Sequence, residues 1–214
     1  MLQLSHSRPL ALGHQRAVHQ HPHDPDLVVK TMRPESVAKR WEGRGNWAHR
    51  LLRTRHYSGY VREVKEYVAM RVHPGASPPI ARIVGLVDTD LGLGLVCEKV
   101  RGPDGGMAPT LLQSWLDHGG EPPWAAAALE AFREDLLRCD VVVGDLNAAN
   151  LVYGSDSAGG PRLVMIDGFG EKHAIPLSSM SRHYNRHMIR RRYRRLLRDL
   201  ATPLSEWTGA RTAP

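Results

Sequence analysis

The chain has 214 residues, 42% hydrophobic and 24% charged, enough for one large domain or two small ones. No window approaches the roughly 20 apolar residues that a membrane span needs, and Met1 to Pro9 lacks an apolar core of signal-peptide length. Cys97 and Cys139 lie on apolar stretches without a CxxC partner, which excludes a disulfide framework and a cysteine zinc site and points to a cytoplasmic protein.

The net charge of +7 is concentrated in one place. Eight arginines and no acid lie between Arg182 and Arg198, which leaves the rest of the chain at −1. Such a segment attracts nucleic acid, another polyanion or an anionic membrane surface, the last giving a peripheral location at the inner membrane.

Arg8 to Val18 reads as two strands joined by a turn at Gly13, and Asp26 to Thr31 as a β-branched strand ending near Lys30. Arg33 to Tyr57 is polar and carries either a short helix or an inserted loop. Tyr60 to Met70 has an apolar stripe (Tyr60, Val64, Tyr67, Val68) at helical spacing, ended by three prolines within His73 to Pro79. Two strands follow, Ile80 to Thr89 and Leu91 to Val100, turning at Asp88 to Gly92. Arg101 to Gly106 is the clearest linker. Thr110 to His118 and the Ala-rich Trp124 to Cys139 read as helices, the second opened by Pro122-Pro123. Short strands then end in acidic tips, and a last long helix begins near Leu177, with Gly209 to Pro214 frayed. The order predicts an α+β protein of two lobes, 1–100 and 101–214, hinged at the linker. A doubly wound parallel sheet would alternate strand and helix more strictly.

The chemistry sits in Val141 to Tyr153 and Leu163 to Gly170. Each apolar run delivers an acid onto a polar or glycine-rich turn, and Asn150 follows Asp145 by five residues. Phosphoryl transfer needs a base, an amide and a carboxylate for metal ions, and little covalent help. Asp145 is the expected base for an acceptor hydroxyl. Asn150 and Asp167 are the expected ligands of Mg2+, which takes oxygen donors and keeps several waters. Lys30 is the expected ammonium on the phosphates of ATP, with Glu63 or Glu66 as its helix partner. Glu98 and Val100, ahead of the linker, complete the expected nucleotide-binding set with Gly13. That loop holds one glycine where phosphate-cradling loops usually carry three. Arg182, Arg186, Arg190, Arg194 and Arg198 recur every four residues as a basic stripe. Five histidines in the first 23 residues have no Cys or compact acidic group to complete a metal cluster.

These residues resemble the YrbL family of PhoP regulatory network proteins, which belong with the protein-kinase-like fold. The likeness rests on Pro9-Leu10 with Gly13, His21-Pro22 before Lys30, Arg62 to Lys65, Asn150-Leu151, Asp167, Gly170-Glu171 and Ile175-Pro176-Leu177. It favours Glu63 over Glu66 and implies an insertion around Arg40 to His56. Asn147 stands where related kinases place the lysine that steadies the transferred phosphate, and it joins Asp145 and Lys30 in the expected catalytic set. Val143-Gly144 replace His-Arg before the base, Asp167 to Gly170 carries one residue more than Asp-Phe-Gly, and no Ala-Pro-Glu segment follows. The resemblance implies an ATP- and magnesium-dependent phosphotransferase acting on a small molecule, sugar or lipid head group rather than a peptide. The alternatives are a regulatory pseudokinase and an anionic-membrane or nucleic-acid binding module using the arginine helix.

Overall fold

The computed structural model describes residues 1–33, 57–72, 77–172 and 175–202. The expected insertion at Arg40 to His56, nearly all of the Arg33 to Tyr57 region and the tail at Gly209 to Pro214 lie outside them. The chain forms two compact units, Met1–Val64 with Ala81–Lys99, and Lys65–Ile80 with Val100–Pro214.

In the first unit, β1 (Ala11–Leu12), β2 (Arg16–Gln20), β3 (Leu27–Met32), β4 (Ile83–Thr89) and β5 (Gly92–Glu98) form an antiparallel sheet of order β1-β2-β3-β5-β4. Strand β3 is central and buried on both faces, as its run of Val28, Val29, Lys30 and Thr31 requires. Val29 packs with Leu4 and Val96 in one apolar cluster. Asp90, in the turn after β4, accepts the N–H groups of Leu4 at 2.7 Å and Ser5 at 3.0 Å and so ties down the N-terminus.

Helix α1 (Ser58–Ala69) carries the expected periodicity, but a different stripe is buried. Tyr60, Glu63 and Glu66 are buried, whereas Val68 is 61% exposed. The two carboxylates go inward because each has a donor waiting, Arg16 for Glu63 and the Val142 N–H for Glu66. Hydrophobicity alone therefore selects the wrong face.

The second unit contains α2 (Leu111–Asp117), α3 (Ala125–Cys139), the hairpin of β6 (Leu151–Asp156) and β7 (Gly159–Met165), the one-turn α4 (Leu177–Met180) and α5 (Arg182–Ala201). Ala125, Leu129, Phe132 and Leu136 make the buried stripe of α3. Thr110 caps α2 through the Gln113 N–H, and Ser181 stops α4 and caps α5 through Tyr184. The expected single helix from Leu177 is thus two. Val141–Val143 is not a strand but a buried extended segment with one bridge, Val143 to Phe169. The expected linker is a closed loop within this unit: Gly102 and Gly106 are hydrogen bonded across it, and Arg101 exchanges two backbone hydrogen bonds of 2.9 Å with Ser155. The expected linker, Arg101 to Gly106, is thus a hydrogen-bonded turn that begins just after the boundary of the units at Lys99 and Val100. Antiparallel sheet and helices occupy separate stretches, so the fold class is α+β. Among the described residues no helix is long and apolar enough to cross a membrane.

Candidate functional site

In the second unit the chain arrives at Asp145 from α3 through Asp140, which ends that helix in the left-handed conformation at φ 56°. Asn185 of α5, fully buried, donates from Nδ2 to the Asp140 carbonyl at 3.0 Å, its Oδ1 at 3.0 Å and the Val141 carbonyl at 3.2 Å. Glu66 accepts the Val142 N–H at 2.8 Å. Sequence reading missed Asn185 and read Glu66 only as a candidate partner of Lys30, because a polar residue that holds backbone carries no periodicity of its own.

Two loops then lock together. The N–H groups of Gly144 and Asp145 both donate to the Gly168 carbonyl, at 2.8 and 2.7 Å, and Gly170 N–H donates to Val142 O at 2.6 Å. Asn150 Nδ2 donates to the Asp145 carbonyl at 3.0 Å, and Ile166 N–H to the Asn150 carbonyl at 2.8 Å. Asp167 Oδ1 accepts the N–H of Gly168 at 2.6 Å. The structure thus brings together Asp145, Asn150 and Asp167. Gly168, within Asp167 to Gly170, permits it. Gly168 has φ +83°, and a Cβ there would stand 2.7 Å from the Asp145 carbonyl oxygen and 2.9 Å from Asn150 Nδ2. Only glycine satisfies both conditions.

Asn147 belongs to this group in a different capacity. Its Oδ1 caps the one-turn helix Ala148–Asn150 by accepting from Ala149 at 3.0 Å and Asn150 at 3.1 Å. Lys172 Nζ lies 3.0 Å from Asp145 Oδ2. Partial burial raises the Asp145 pKa, but the hydrogen bond and charge of Lys172, helped by a hydrogen bond from Asn147, outweigh it and hold the carboxyl below its ordinary value. Asp145 is therefore an ionised acceptor at neutral pH.

The nucleotide-binding expectations fall mostly in the first unit. Lys30 is buried on β3, and its carbonyl accepts the hydroxyl of Tyr60 at 2.7 Å. Glu63, one turn further along α1, is fully buried and pairs with Arg16 at 2.7 Å. Arg16 also lies over the Tyr60 ring, 4.9 Å from its centroid. Gly13 opens the β1–β2 turn, its N–H donating to Arg16 O at 2.8 Å, and a Cβ there would meet nothing closer than 3.4 Å. A glycine is not sterically required at that position. Glu98 is half-buried at the end of β5, and Val100, the first residue of the second unit's main segment, is buried and accepts Ala108 N–H at 2.9 Å.

The arginine stripe does not form one face. A four-residue step advances about 40° beyond a full helical turn, so five such residues drift halfway round. Arg182 pairs with Asp140 at 3.5 Å, and Arg186 is partly buried. The exposed basic face is Arg190, Arg191, Arg194, Arg195 and Arg198, opposite the buried Ile189, Tyr193, Leu196 and Leu200. Elsewhere in this unit a cavity of about 290 Å³ opens beside Trp124, Phe132, Tyr153 and Arg162, and none of the expected site residues lines it.

A family model described as PhoP regulatory network protein YrbL matches residues 2–201. Among solved structures, a double mutant of the PknI kinase domain of Mycobacterium tuberculosis is similar at 19% identity and TM-score 0.46, over 75% of this chain and 56% of that one. The chain thus spans just over half the length of that domain. No curated protein matches in sequence.

Proposed function

The chain belongs to the family of the PhoP regulatory network protein YrbL, and from that membership and the geometry around Asp145 we propose an ATP- and magnesium-dependent, kinase-like phosphotransferase acting on a hydroxyl of a small molecule, sugar or lipid head group. The observation that carries the reading is the interlocking of the Asp145–Asn150 loop with Asp167–Gly170 through the Gly168 carbonyl.

The residues fit a magnesium ion. The Asn150 amide nitrogen is committed to the Asp145 carbonyl, so its oxygen is the atom left for a hard cation, and Asp167 supplies a carboxylate. Among the described residues no group of three or more His, Cys, Asp and Glu is placed to hold a metal, so protein ligands would be few and water would complete the shell. Such an ion supplies charge neutralisation for the phosphates. Asp145 orients the acceptor hydroxyl and receives its proton as the acceptor oxygen bonds to phosphorus and the bond to the nucleoside diphosphate breaks. Lys30 is assigned to the nucleotide phosphates. Glu63 supports the set, and its partner Arg16 brings a second cation near it.

Nucleotide binding and ATP turnover with magnesium, measured for wild type, Asp145→Ala and Asp167→Ala, test this. Asp167→Ala should lose metal-dependent binding, and Asp145→Ala should keep binding and lose turnover. Turnover unchanged in both variants would refute the assignment.

A regulatory nucleotide-binding protein without turnover is the second reading. It is favoured by Asn147, whose side chain is spent on capping and so supplies no cation from the catalytic loop. Either reading leaves the exposed basic face of α5 for an anionic surface. Ile175, Leu177 and Met180 just before it are 66%, 47% and 74% exposed, an apolar supplement that suits a bilayer better than nucleic acid.

A further inference from the structure

One of the five early histidines is unlike the rest. His6, His14 and His23 face solvent, whereas His19 is 4% exposed. It stands on β2 opposite Val29 of β3, on the sheet face that Leu2–Ser7 crosses. Leu4 of that segment is buried against Val29 and Val96, and Ser7 Oγ lies 3.3 Å from His19 Nδ1. At its other end the Leu2 N–H donates to the Asp88 carbonyl at 2.8 Å, and the Asp90 N–H to the Leu2 carbonyl at 3.0 Å. The Asp90 carboxylate accepts the Leu4 and Ser5 N–H groups between these points. Leu2–Ser7 is therefore a strap across one face of the first unit, with His19 beneath it.

The Ser7 hydroxyl donates to the Leu4 carbonyl at 2.8 Å, so its oxygen is left to accept, and Nδ1 carries the ring proton of neutral His19. Nε2 is then a lone pair. It is buried, and among the described residues it has no hydrogen-bond partner. A neutral ring tolerates that position. An imidazolium does not, because both nitrogens become donors and the new Nε2–H finds no acceptor. Burial depresses the His19 pKa, and the charge of Asp90, which favours the cation, does not overcome it. The Ser5 hydroxyl and the Leu4 N–H hold the Asp90 pKa down at about 2, so its grip on the strap does not titrate in mild acid. The other ionisable groups around this face lie at its margins. His6 and Arg8 on the strap are exposed, His21 follows β2, and Glu98 of β5 sits opposite Leu27.

We propose that Leu2–Ser7 is an acid-opened strap: protonation of His19 at Nε2 releases Ser7 and Leu4 from the sheet and bares the apolar face of Val29 and Val96. Leu27, Val87 and Leu91 flank that face and extend it. The sign follows from linkage. A histidine held below its ordinary value of 6.5 favours the closed strap above that pH, and the hold is lost as pH falls below it. One pH unit below, the open strap gains roughly tenfold on the closed one. Glu66, in the other unit, gains stability over the same range, so loosening confined to the strap does not come from it.

The test follows the full chain, wild type and His19→Gln, by proton–nitrogen NMR from neutral pH to about pH 5, with amide exchange corrected for its intrinsic pH dependence. In wild type the neutral ring should carry its proton on Nδ1 and titrate below 6.5. Protection of the Leu4 and Ser5 amides should fall roughly tenfold one unit below that value, while the ladder amides of β3 hold theirs. In His19→Gln the strap amides should keep constant protection. Titration of His19 at or above its ordinary value overturns the proposal. So does strap protection that stays flat in wild type, or that falls together with the β3 ladder. The ring titration and the strap amides of wild type decide the matter even where the buried substitution prevents folding.

Discussion

Glu66 is 6% exposed, and its Oε1 accepts the Val142 N–H at 2.8 Å. Burial raises its pKa from 4.5 to about 7, opposed by the Val142 hydrogen bond and assisted by the like charges of Asp140 and Glu171. The protonated form is therefore favoured in the folded chain. Stability from this group is fully present below its unfolded pKa and is lost as pH rises through about 7. A gap of that size, at about 1.4 kcal/mol per pH unit, amounts to on the order of 3 kcal/mol across the window. Glu66→Gln keeps the size and the acceptor oxygen but removes the ionisation. Denaturant unfolding of both proteins from pH 5 to pH 9 reads the difference. The variant should nearly match wild type at pH 5 and exceed it by on the order of 3 kcal/mol at pH 9. Parallel stability curves for the two proteins would show that Glu66 titrates normally, and the account of α1's buried face would fall with it.

Gly168→Ala places a Cβ against the Asp145 carbonyl and Asn150 Nδ2 at φ +83°. A left-handed alanine and an overpacked contact together cost on the order of 3 kcal/mol. The variant should melt earlier and lose metal-dependent nucleotide binding, and a wild-type melting curve with intact binding would sink the locked-loop description. Changing Arg190, Arg194 and Arg198 together to Ala should abolish salt-sensitive binding to vesicles rich in anionic lipid, as each basic side chain near such a surface contributes about 1 kcal/mol. Unaltered vesicle binding in a flotation assay would remove the α5 face from consideration, and a loss seen only with duplex DNA would assign it to nucleic acid.

Strand placement was legible because it follows from alternation and turn chemistry. Gly13 and Asp88 to Gly92 mark their turns in the sequence, and β1–β2 and β4–β5 meet there. The Asp145–Asn150 spacing was legible for a related reason: five residues suffice for one turn of helix that brings the amide back to the Asp145 carbonyl. Tertiary pairing was not. The apolar stripe of α1 pointed to Val64 and Val68, yet Arg16 and the Val142 N–H draw Glu63 and Glu66 inward. Lys172 and Asn185 were missed because each acts on a loop at least 27 residues away in sequence, where no local pattern registers. The four-residue repeat of arginines misled for a geometric reason, since 4.0 and 3.6 residues per turn part company within two steps.

Asn147 is the residue on which the enzymatic and regulatory readings divide. In the catalytic loop a lysine could not cap the helix Ala148–Asn150, because it has no acceptor. An asparagine can, and the cap fixes Asn150 against Asp145. The loop therefore gains rigidity at the amide proposed to face magnesium and gives up the cation that the proposed phosphotransfer would use there. Lys172 puts an ammonium on the carboxylate expected to take the proton, from the segment that Gly168 and Gly170 draw against the loop. That ammonium holds Asp145 ionised, so Lys172→Met should raise the Asp145 pKa, which carboxylate NMR across a pH titration would read.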